Sequence, residues 1–377
     1  MAELVGLVLS GSGVFVPPYK ISNEEIVASF NAYVHGYNRD HASEIAAGTL
    51  HTLLESSCEF IHRASGITNR YVLDKTGILD PSVMCPRIPE RPNGELSVMA
   101  EMAVAAAHEA LAASEKKPGD IDGVICSCAV QQRAYPAMAI EIQGALGITG
   151  FAFDMSVGCA SATYAVHVAK GLIESGGARA ILVCNPEILT GHANFRERDS
   201  HFLFGDACTA FIVERAETAT GVNVWEIVSS KLKAQFSSNI RNNFGFLNRC
   251  APEGVGKPDK LFVQQGRKVF KEVLPLVGQF IIEHLGENGL SAADIKRMWL
   301  HQANINMNLF LAHKVFGRDP TPGEAPNIIG EYANTSSAGA IIAFNKHSAD
   351  LNTGDVGVLC TFGAGYSAGS VILRKLT

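Results

Sequence analysis

The two halves of the chain repeat the same order of predicted elements, and this repeat constrains the fold more strongly than any single motif. In each half a helical stretch, an acidic turn and an apolar strand follow one another, and a second helix of small residues comes next. In the first half 39 residues separate Asp120 from Cys159, and in the second 40 separate Asp294 from Asn334. The matched elements are predicted at 97–114 and 268–285 (helices), 124–128 and 298–301 (strands), 180–184 and 356–360 (strands), and 208–213 and 370–373 (strands).

One β-α-β unit used twice predicts an α/β protein of two similar halves, 1–217 and 218–377, related by a pseudo-dyad. The strands are apolar enough to be covered on both faces, which favours five layers in the order αβαβα. The two helices of small residues would then lie side by side at the centre, because only narrow helices let their backbones approach.

Two segments have no counterpart in the repeat. Residues 31–59 carry polar and apolar side chains at helical spacing, and residues 74–94 form a predicted loop with four prolines. Long insertions at the rim of a site commonly shape or cover a pocket. A surface elaboration or a dimer contact is an equally good interpretation of either segment.

Composition excludes several classes of protein. The formal net charge is −6 and no run of five like charges occurs, so the sequence lacks the basic stretch typical of proteins that bind nucleic acid. An acidic partner would need a local basic patch. No segment has 18 consecutive apolar residues, and no basic leader precedes the apolar start, so we expect a cytoplasmic protein without a membrane segment. The nine cysteines are odd in number and mostly lie in apolar stretches, which fits a reducing compartment.

Two patterns that suggest a metal or cofactor site are rejected. Cys126 and Cys128 are spaced C-x-C in a predicted strand, so they would point to opposite faces and make a poor metal pair. Gly11 and Gly13 begin like a dinucleotide loop, but the third glycine is missing and Pro17 follows where a helix should begin. We therefore expect no metal and no nicotinamide cofactor.

Cys159 stands where a predicted strand at 151–157 passes into a predicted helix at 159–173. A thiol in that position faces unpaired helix N–H groups and the positive end of the helix dipole, which favour the nucleophilic thiolate. A buried cysteine that acts as a small hydrophobic residue is an equally good interpretation of this feature alone.

His301 and Asn334 lie at corresponding junctions of the second half. His301 ends a predicted strand, and ligands and catalysis favour that edge of an α/β sheet, although a lone histidine there is more often structural. Asn334 alone would be a helix N-cap. The repeat places Asn334 across the dyad from Cys159, which makes these three residues a candidate constellation.

A series of short motifs runs in order along nearly the whole chain. They are Gly11-Ser12-Gly13 to Pro17, Phe60-Ile61-His62-Arg63 with Gly66-Ile67 and Arg70, Tyr135-Pro136, Gln143 with Leu146-Gly147-Ile148, the Cys159 segment, Phe204-Gly205-Asp206, His301-Gln302-Ala303-Asn304, Asn334-Thr335-Ser336 and Phe362-Gly363-Ala364-Gly365. In this order they resemble the β-ketoacyl-acyl-carrier-protein synthase III family, which has the thiolase-like five-layer αβαβα fold.

The resemblance implies a decarboxylating Claisen condensation in fatty acid biosynthesis, with no metal or organic cofactor. Cys159 would take an acyl group from acyl-CoA, and the backbone N–H groups of Cys159 and Ala364 would hold the oxyanion. His301 and Asn334 would hold the thioester oxygen of malonyl-acyl-carrier protein while the departing CO₂ leaves an enolate. The acyltransferase would be a homodimer, with acyl-CoA and acyl carrier protein as partners.

The resemblance also implies binding residues, and several depart from the family pattern. Phe60 replaces the usual tryptophan of the CoA site, an extra residue separates Arg63 from Gly66, and Asn306 replaces an arginine of the carrier-protein patch. The implied residues are Phe60 and Arg63 for CoA, Gln302, Ala303, Asn304, Ile305, Asn306, Lys271 and Lys314 for carrier protein and pantetheine, and Tyr135 and Phe362 as pocket or gate residues. Ordinary solvated lysines remain an alternative for Lys271 and Lys314.

Chain length and the insertions resemble the branch of the family that elongates medium-chain primers, such as octanoyl-CoA to 3-oxodecanoyl-acyl-carrier protein. Three alternatives keep the acyl-cysteine: aldol condensation, head-to-head condensation of acyl-CoAs, and acyl transfer to an oxygen or nitrogen nucleophile in a secondary pathway. Aldol chemistry needs a carboxylate base, and Glu95 fits a helix start better. A non-catalytic ketosynthase partner subunit would lack one of the three residues, and this chain has all three.

Overall fold

The computed structural model describes residues 6–243 and 245–377, a mixed α/β chain. The first five residues of the predicted N-terminal half lie outside the described residues. The strands are β1 (Leu7–Phe15), β2 (Tyr19–Ser22), β3 (Asn69–Val72), β4 (Gly123–Ser127), β5 (Phe151–Met155), β6 (Ala180–Glu187), β7 (Ala207–Arg215), β8 (Trp225–Ser237), β9 (Ile240–Arg241), β10 (Val263–Gln264), β11 (Ile295–Leu300), β12 (Val356–Gly363) and β13 (Gly365–Lys375). The α-helices are α1 (Asn23–Asp40), α2 (Ala42–Ala46), α3 (Cys58–Ser65), α4 (Thr76–Leu79), α5 (Val98–Ala113), α6 (Met138–Leu146), α7 (Ser161–Glu174), α8 (Gly266–Glu287), α9 (Ile305–Phe316), α10 (Ile329–Tyr332) and α11 (Ala338–Lys346).

A nine-stranded sheet in the order β11-β12-β13-β8-β1-β7-β6-β4-β5 runs through the molecule. Its centre is the antiparallel pair of β1 with β8, where Val8 faces Glu226 and Leu9 faces Trp225. On either side the order repeats, because β7, β6 and β4 follow β1 as β13, β12 and β11 follow β8, with the same parallel and antiparallel pairings. β5 adds one more strand to the N-terminal side.

Three apolar clusters separate the layers. α5 and α6 pack on the outer face of the N-terminal strands, and α8 and α9 pack on the outer face of the C-terminal strands. α7 and α11 share one cluster with the inner faces of both sets of strands. The order of layers is therefore helix, sheet, helix, sheet, helix, as the repeat predicts.

The elements of the sequence repeat are all present, with shifted ends. The predicted helices at 97–114 and 268–285 correspond to α5 and α8, and the matched strands to β4 with β11, β6 with β12 and β7 with β13. β13 is longer than predicted because it pairs with β12 as far as Ser367 and with β8 as far as Gly365. We propose the boundary of the two halves at 217/218, between β7 and β8.

The two central helices are narrow where they meet. Buried alanines line the inner face of both α7 and α11, as the sequence predicts for helices at the middle of the molecule. The hydroxyl of Thr163 on α7 is hydrogen-bonded to that of Thr361 on β12, so the N-terminal half is tied to the C-terminal half beside this contact.

Both insertions fold onto the N-terminal half. Residues 31–59 form the end of α1, all of α2, an extended return segment and the start of α3. Residues 74–94 contain α4 and a loop that Asp74 organises, since its carboxylate accepts hydrogen bonds from the N–H groups of Thr76, Gly77 and Arg87. That loop lines the larger of the two cavities described below.

The C-x-C prediction was wrong about the two faces. Side chains two residues apart in a strand lie on the same face, and Cys126 and Cys128 both belong to the apolar cluster beneath α5 and α6. Within 6–243 and 245–377, no helix combines the length and apolar character needed to cross a membrane.

Candidate active site

Cys159 lies between β5 and α7, in a tight turn that begins at Gly158 with a φ of 54°. The helix begins at Ser161, two residues later than predicted, because the Ser161 hydroxyl accepts the Val157 N–H (2.9 Å) and donates to the Gly158 carbonyl (2.7 Å). Cys159 itself keeps partial exposure through the cavity that it lines.

The thiol is not activated in the direction that its position near a helix start predicts. Burial raises the pKa of Cys159 to about 11, and the nearby carboxyl of Glu187 raises it further, while the hydroxyl of Ser336 opposes the shift. Burial disfavours the charged thiolate, so the direction of this shift is opposite to the one that a helix start alone favours. At neutral pH Cys159 is a thiol.

The turn between β12 and β13 packs directly on Cys159. A Cβ on Gly158 would lie 3.7 Å from the Cβ of Ala364, and a Cβ on Gly363 would lie 2.7 Å from the Cβ of Cys159. Within the described part of the chain, neither the Cys159 N–H nor the Ala364 N–H donates a hydrogen bond to another residue. The two predicted oxyanion donors thus belong to two turns that contact each other beside Cys159.

Replacing Gly363 by alanine tests this close approach. The new Cβ would lie 2.7 Å from the Cβ and 3.0 Å from the Sγ of Cys159, so the thiol or the turn must move. We expect acylation of Cys159 by an acyl-CoA to slow about 100-fold, as misplacement by about 1 Å does. The rate of CoA release in a single turnover measures the rate of acylation.

Gly144→Ala is the matched control, because a Cβ on Gly144 in α6 meets nothing within 4 Å. We expect that variant to acylate at the unaltered rate. A Gly363→Ala enzyme that acylates as fast as its parent would contradict the packing described for this turn.

The first half of the chain holds Asn334 in place across the dyad. Its N–H donates to the carbonyl of Leu203 (3.0 Å), and its carbonyl accepts the N–H of Gly205 (3.2 Å). Its side-chain oxygen accepts the N–H of Ser336 (2.9 Å), which orients the amide and leaves Nδ2 outside that bond. Ser336 has a φ of 50°, so the chain cannot enter α11 until Ala338.

His301 follows the last residue of β11 and is 2 % exposed. The backbone N–H of His301 donates to the carbonyl of Cys360 (2.8 Å). The imidazole ring lies edge-on to the ring of Phe362, with centroids 5.3 Å apart. Burial lowers the pKa of His301 to about 4, so the imidazole is neutral at pH 7 and carries one N–H. Phe362, predicted as a gate, fixes this ring and does not line the cavity beside Cys159.

Ser336 is the point at which the three predicted residues meet. Its hydroxyl faces the thiol of Cys159, its backbone faces the imidazole of His301, and its N–H holds the side chain of Asn334. The structure thus brings the constellation predicted from the two halves together around one turn.

Glu187, at the end of β6, was missed in the sequence. It is fully buried, and its carboxyl accepts the N–H of Ala129 (3.0 Å), the N–H of Ser337 (3.3 Å) and the Ser337 hydroxyl. Burial raises the pKa of Glu187 to about 8. The group therefore ties the loop after β4 to the turn that carries Asn334. A charged residue just beyond the apolar run 180–184 was the available signal.

An apolar cavity of about 180 Å³ opens beside Cys159. A second cavity, of about 650 Å³, shares Val130 and His192 with it and is lined by the 74–94 insertion and by Tyr135. Tyr135 is 86 % exposed and does not reach the cavity beside Cys159 in its own chain. The cavity beside Cys159 is lined by Ala129, Val130, Gly158, Cys159, Leu189, His192, Phe204, Ile240, Arg241, Asn242, Phe262, Ser336 and Ala364.

The aromatic ring predicted for the CoA site has a different arginine partner. The guanidinium of Arg198 lies 4.0 Å from the centroid of the Phe60 ring, and the ring of Phe202 meets Phe60 edge-on. Arg63 is exposed on α3, and in the residues described its guanidinium does not lie over Phe60. Arg198, which sequence reasoning missed, is thus the arginine stacked on Phe60, and the CoA-binding role of Phe60 and Arg63 stays a prediction.

Two of the residues implied for pantetheine are used within the protein. Gln302 is buried and bonds the carbonyl of Leu300 (2.8 Å) and the N–H of Ile328 (3.0 Å). Asn304 caps α9 by accepting the N–H of Asn306 (2.8 Å), and its amide donates to the carbonyl of Ala64. These side chains hold the loop after β11, and their role in binding pantetheine stays a prediction.

The other residues implied for carrier protein lie on or beside α8 and α9. Ile305 packs against Gly66, Ala303 is half-buried, and Asn306 is exposed. Lys271 is exposed on α8, while the stem of Lys314 lies against Gly278. The neighbouring rings of Phe270 and Phe310 have centroids 6.1 Å apart and are 39 % and 41 % exposed.

The fold, with a cysteine, a histidine and an asparagine at its centre, is that of the acyl-transferring condensing enzymes with the thiolase fold. The chain belongs to the 3-oxoacyl-[acyl-carrier-protein] synthase III family. Residues 153–235 match the model of that family, and residues 285–375 match the model of its C-terminal part.

Curated relatives agree with this assignment. The chain is 59 % identical to the β-ketodecanoyl-[acyl-carrier-protein] synthase of Pseudomonas aeruginosa, over 92 % of this chain and 99 % of the relative. It is 27 % identical to a β-ketoacyl-[acyl-carrier-protein] synthase III of Allorhizobium ampelinum, over 86 % of this chain and 93 % of the relative. The crystal structure of 3-oxoacyl-[acyl-carrier-protein] synthase III from Aquifex aeolicus has the same fold, with a TM-score of 0.75, 22 % identity, and coverage of 98 % of this chain and 100 % of the other.

Proposed function

We propose that this protein catalyses the decarboxylative condensation of a medium-chain acyl-CoA with malonyl-acyl-carrier protein to give a 3-oxoacyl-acyl-carrier protein. The observation that carries the proposal is the meeting of Cys159, His301 and Asn334 around Ser336, beside an apolar cavity. The reaction belongs to fatty acid biosynthesis, as in the family.

In the first step the Cys159 sulfur, having lost its proton, attacks the carbonyl carbon of the acyl thioester. The Cys159 and Ala364 N–H groups stabilise the tetrahedral oxyanion, and the C–S bond to CoA then breaks so that CoA leaves as the thiol. The acyl tail occupies the apolar cavity. Because burial raises the pKa of Cys159 to about 11, acylation accelerates with rising pH below that value while the fold is intact.

In the second step the malonyl group replaces CoA in front of the acyl-cysteine. Neutral His301 donates its N–H, and Asn334 its amide, to the malonyl thioester oxygen, on which charge develops as the carboxylate leaves as CO₂. The enolate carbon attacks the acyl carbonyl, and collapse of the adduct expels the Cys159 thiolate. The departing CO₂ supplies the carbanion, so the proposal contains no metal or organic cofactor.

The primer is a medium-chain acyl group, which we propose is octanoyl. The related enzyme of Pseudomonas aeruginosa is named for a ten-carbon β-ketoacyl product, and one condensation adds two carbons, so its primer would have eight. The cavity beside Cys159 and the larger one share Val130 and His192 in their walls, so a longer tail needs only these two side chains to part in order to extend away from the thiol.

We propose that the acidic carrier protein docks on α8 and α9. The chain has a formal net charge of −6, so an acidic partner needs a local basic patch. Lys271 follows Phe270 on α8, and Lys314 comes one turn after Phe310 on α9, which supports a surface of mixed basic and apolar character. A cytoplasmic homodimer, in which Tyr135 of one copy enters the pocket of the other, completes the proposal.

Product analysis tests the function. The protein is incubated with octanoyl-CoA in the presence and absence of malonyl-acyl-carrier protein. We expect 3-oxodecanoyl-acyl-carrier protein, CO₂ and free CoA in equal amounts when both substrates are present. A condensed product formed from octanoyl-CoA alone would favour head-to-head condensation, and transfer of the octanoyl group to an added oxygen or nitrogen nucleophile would favour a secondary pathway. Either result would overturn the proposal.

A further inference from the structure

The insertion at 31–59 is built around a polar ladder between α1 and the extended segment 50–57 that returns beside it. The amide of Asn31 donates to the carbonyl of Ser56 (3.1 Å), and its oxygen accepts the Ser56 N–H (2.8 Å). Asn38 makes the same pair of bonds with Leu53 (3.0 and 2.9 Å). Seven residues of helix and three of extended chain both span about 10 Å, so the two asparagines match the register of the segment.

The segment positions two groups, Arg198 and Phe60. The carbonyl of Glu55, between the two rungs of the ladder, accepts the Nε–H of Arg198 (2.7 Å). Ser57 begins α3 by accepting the Phe60 N–H (3.0 Å), and the Arg198 guanidinium lies 4.0 Å from the Phe60 ring centroid. One short stretch of chain thus fixes both the arginine and the ring on which it stacks.

The loop that carries Arg198 is also held from the other side. Arg196 donates to the carbonyl of Ser82 (3.0 Å) in the 74–94 insertion, and its guanidinium lies 5.6 Å from the ring centroid of Tyr33 on α1. The ring of His201 stacks on Phe30 of α1, with centroids 4.3 Å apart. Both insertions therefore contact this loop, and the Glu55 carbonyl of the first accepts a hydrogen bond from Arg198 itself.

We propose that the 31–59 insertion is a brace that holds Arg198 on Phe60 to bind the nucleotide end of the acyl-CoA, an inference that rests on the proposed function. A guanidinium stacked on an aromatic ring presents a flat, charged face that suits a planar base and a phosphate. Asn31 and Asn38 touch neither substrate nor thiol, so they are positioning residues. Their effect falls on recognition of the nucleotide and leaves the chemistry at Cys159 unchanged.

The test compares two thioesters in the double variant Asn31→Ala/Asn38→Ala. Acylation of Cys159 is followed with octanoyl-CoA and with octanoyl-pantetheine, which lacks the nucleotide. We expect kcat/KM for octanoyl-CoA to fall about tenfold, mostly through KM, and kcat/KM for octanoyl-pantetheine to change by less than about twofold. Arg198→Ala added to the double variant should cost little more, since the brace acts through Arg198.

Asn288→Ala is the matched control, because it removes an asparagine-to-backbone bond, to the carbonyl of His284 (2.7 Å), at the end of α8. It should acylate normally with both thioesters. If the double variant unfolds, Asn38→Ala alone takes its place, because it keeps the bonds between Asn31 and Ser56. We expect a smaller loss of kcat/KM in that variant, again for octanoyl-CoA and not for octanoyl-pantetheine. Equal losses for the two thioesters, or no loss for octanoyl-CoA, would overturn the brace while the proposed function stands. A parent protein acylated by neither thioester would overturn both.

Discussion

Replacing Cys159 by alanine is expected to abolish covalent acylation and to lower the rate of condensation by at least about 1000-fold. The variant has no sulfur to carry the acyl group, and the two-step route through a thioester is lost. The fold should survive, because the substitution removes one atom from a side chain that already borders a cavity. Intact-protein mass after incubation with octanoyl-CoA, and product formation with malonyl-acyl-carrier protein, measure the two losses.

Cys250→Ala is the matched control, since Cys250 is an exposed cysteine. That variant should form the acyl adduct and condense at the unaltered rate. Full condensing activity of Cys159→Ala, or loss of the adduct in Cys250→Ala, would remove Cys159 from the mechanism.

Replacing His301 by alanine is expected to separate the two steps. The imidazole N–H is needed where charge develops on the malonyl thioester, so condensation should slow about 100- to 1000-fold. Acylation needs the N–H groups of Cys159 and Ala364 and should stay within about threefold of the parent rate. Asn334→Ala should behave in the same way, and the double variant should lose less than the product of the two single losses, because both donors serve one oxygen.

The burst of CoA release reports acylation, and CO₂ release reports the second step. Phe362→Leu offers a further comparison, because Phe362 touches the ring of His301 and does not line the cavity beside Cys159. We expect a smaller loss in CO₂ release for that variant and an unaltered burst. A His301→Ala enzyme that loses the CoA burst would contradict the division of roles.

The order of elements could be predicted because each half of the chain encodes it independently. Strands buried on both faces are apolar throughout, and the central helices must be rich in small residues, so matched patterns 39 and 40 residues apart define both halves. The same reasoning placed Cys159, His301 and Asn334 at one edge. Structure then added the contact between them, through Ser336, which no spacing in the sequence reveals.

What the sequence could not provide depends on single hydrogen bonds and on desolvation. α7 begins later than predicted because the Ser161 hydroxyl accepts the Val157 N–H. Several serines and threonines lie nearby in sequence, and the sequence does not show which of them makes this bond. The pKa of Cys159 rises because the thiol is buried, and burial depends on chain segments far away. Arg198 and Glu187 were missed because their partners lie more than fifty residues away in sequence.

The measurement that tests the central claim most directly is the mass of the acyl-enzyme. The protein is incubated with a series of acyl-CoAs from acetyl to dodecanoyl without malonyl-acyl-carrier protein, and the modified peptide is identified after digestion. We predict one acyl group per chain, on Cys159, formed fastest from octanoyl-CoA. Acylation by acetyl-CoA alone would contradict the medium-chain primer, and an adduct on another residue, or none with any acyl-CoA, would contradict the acyl-cysteine itself.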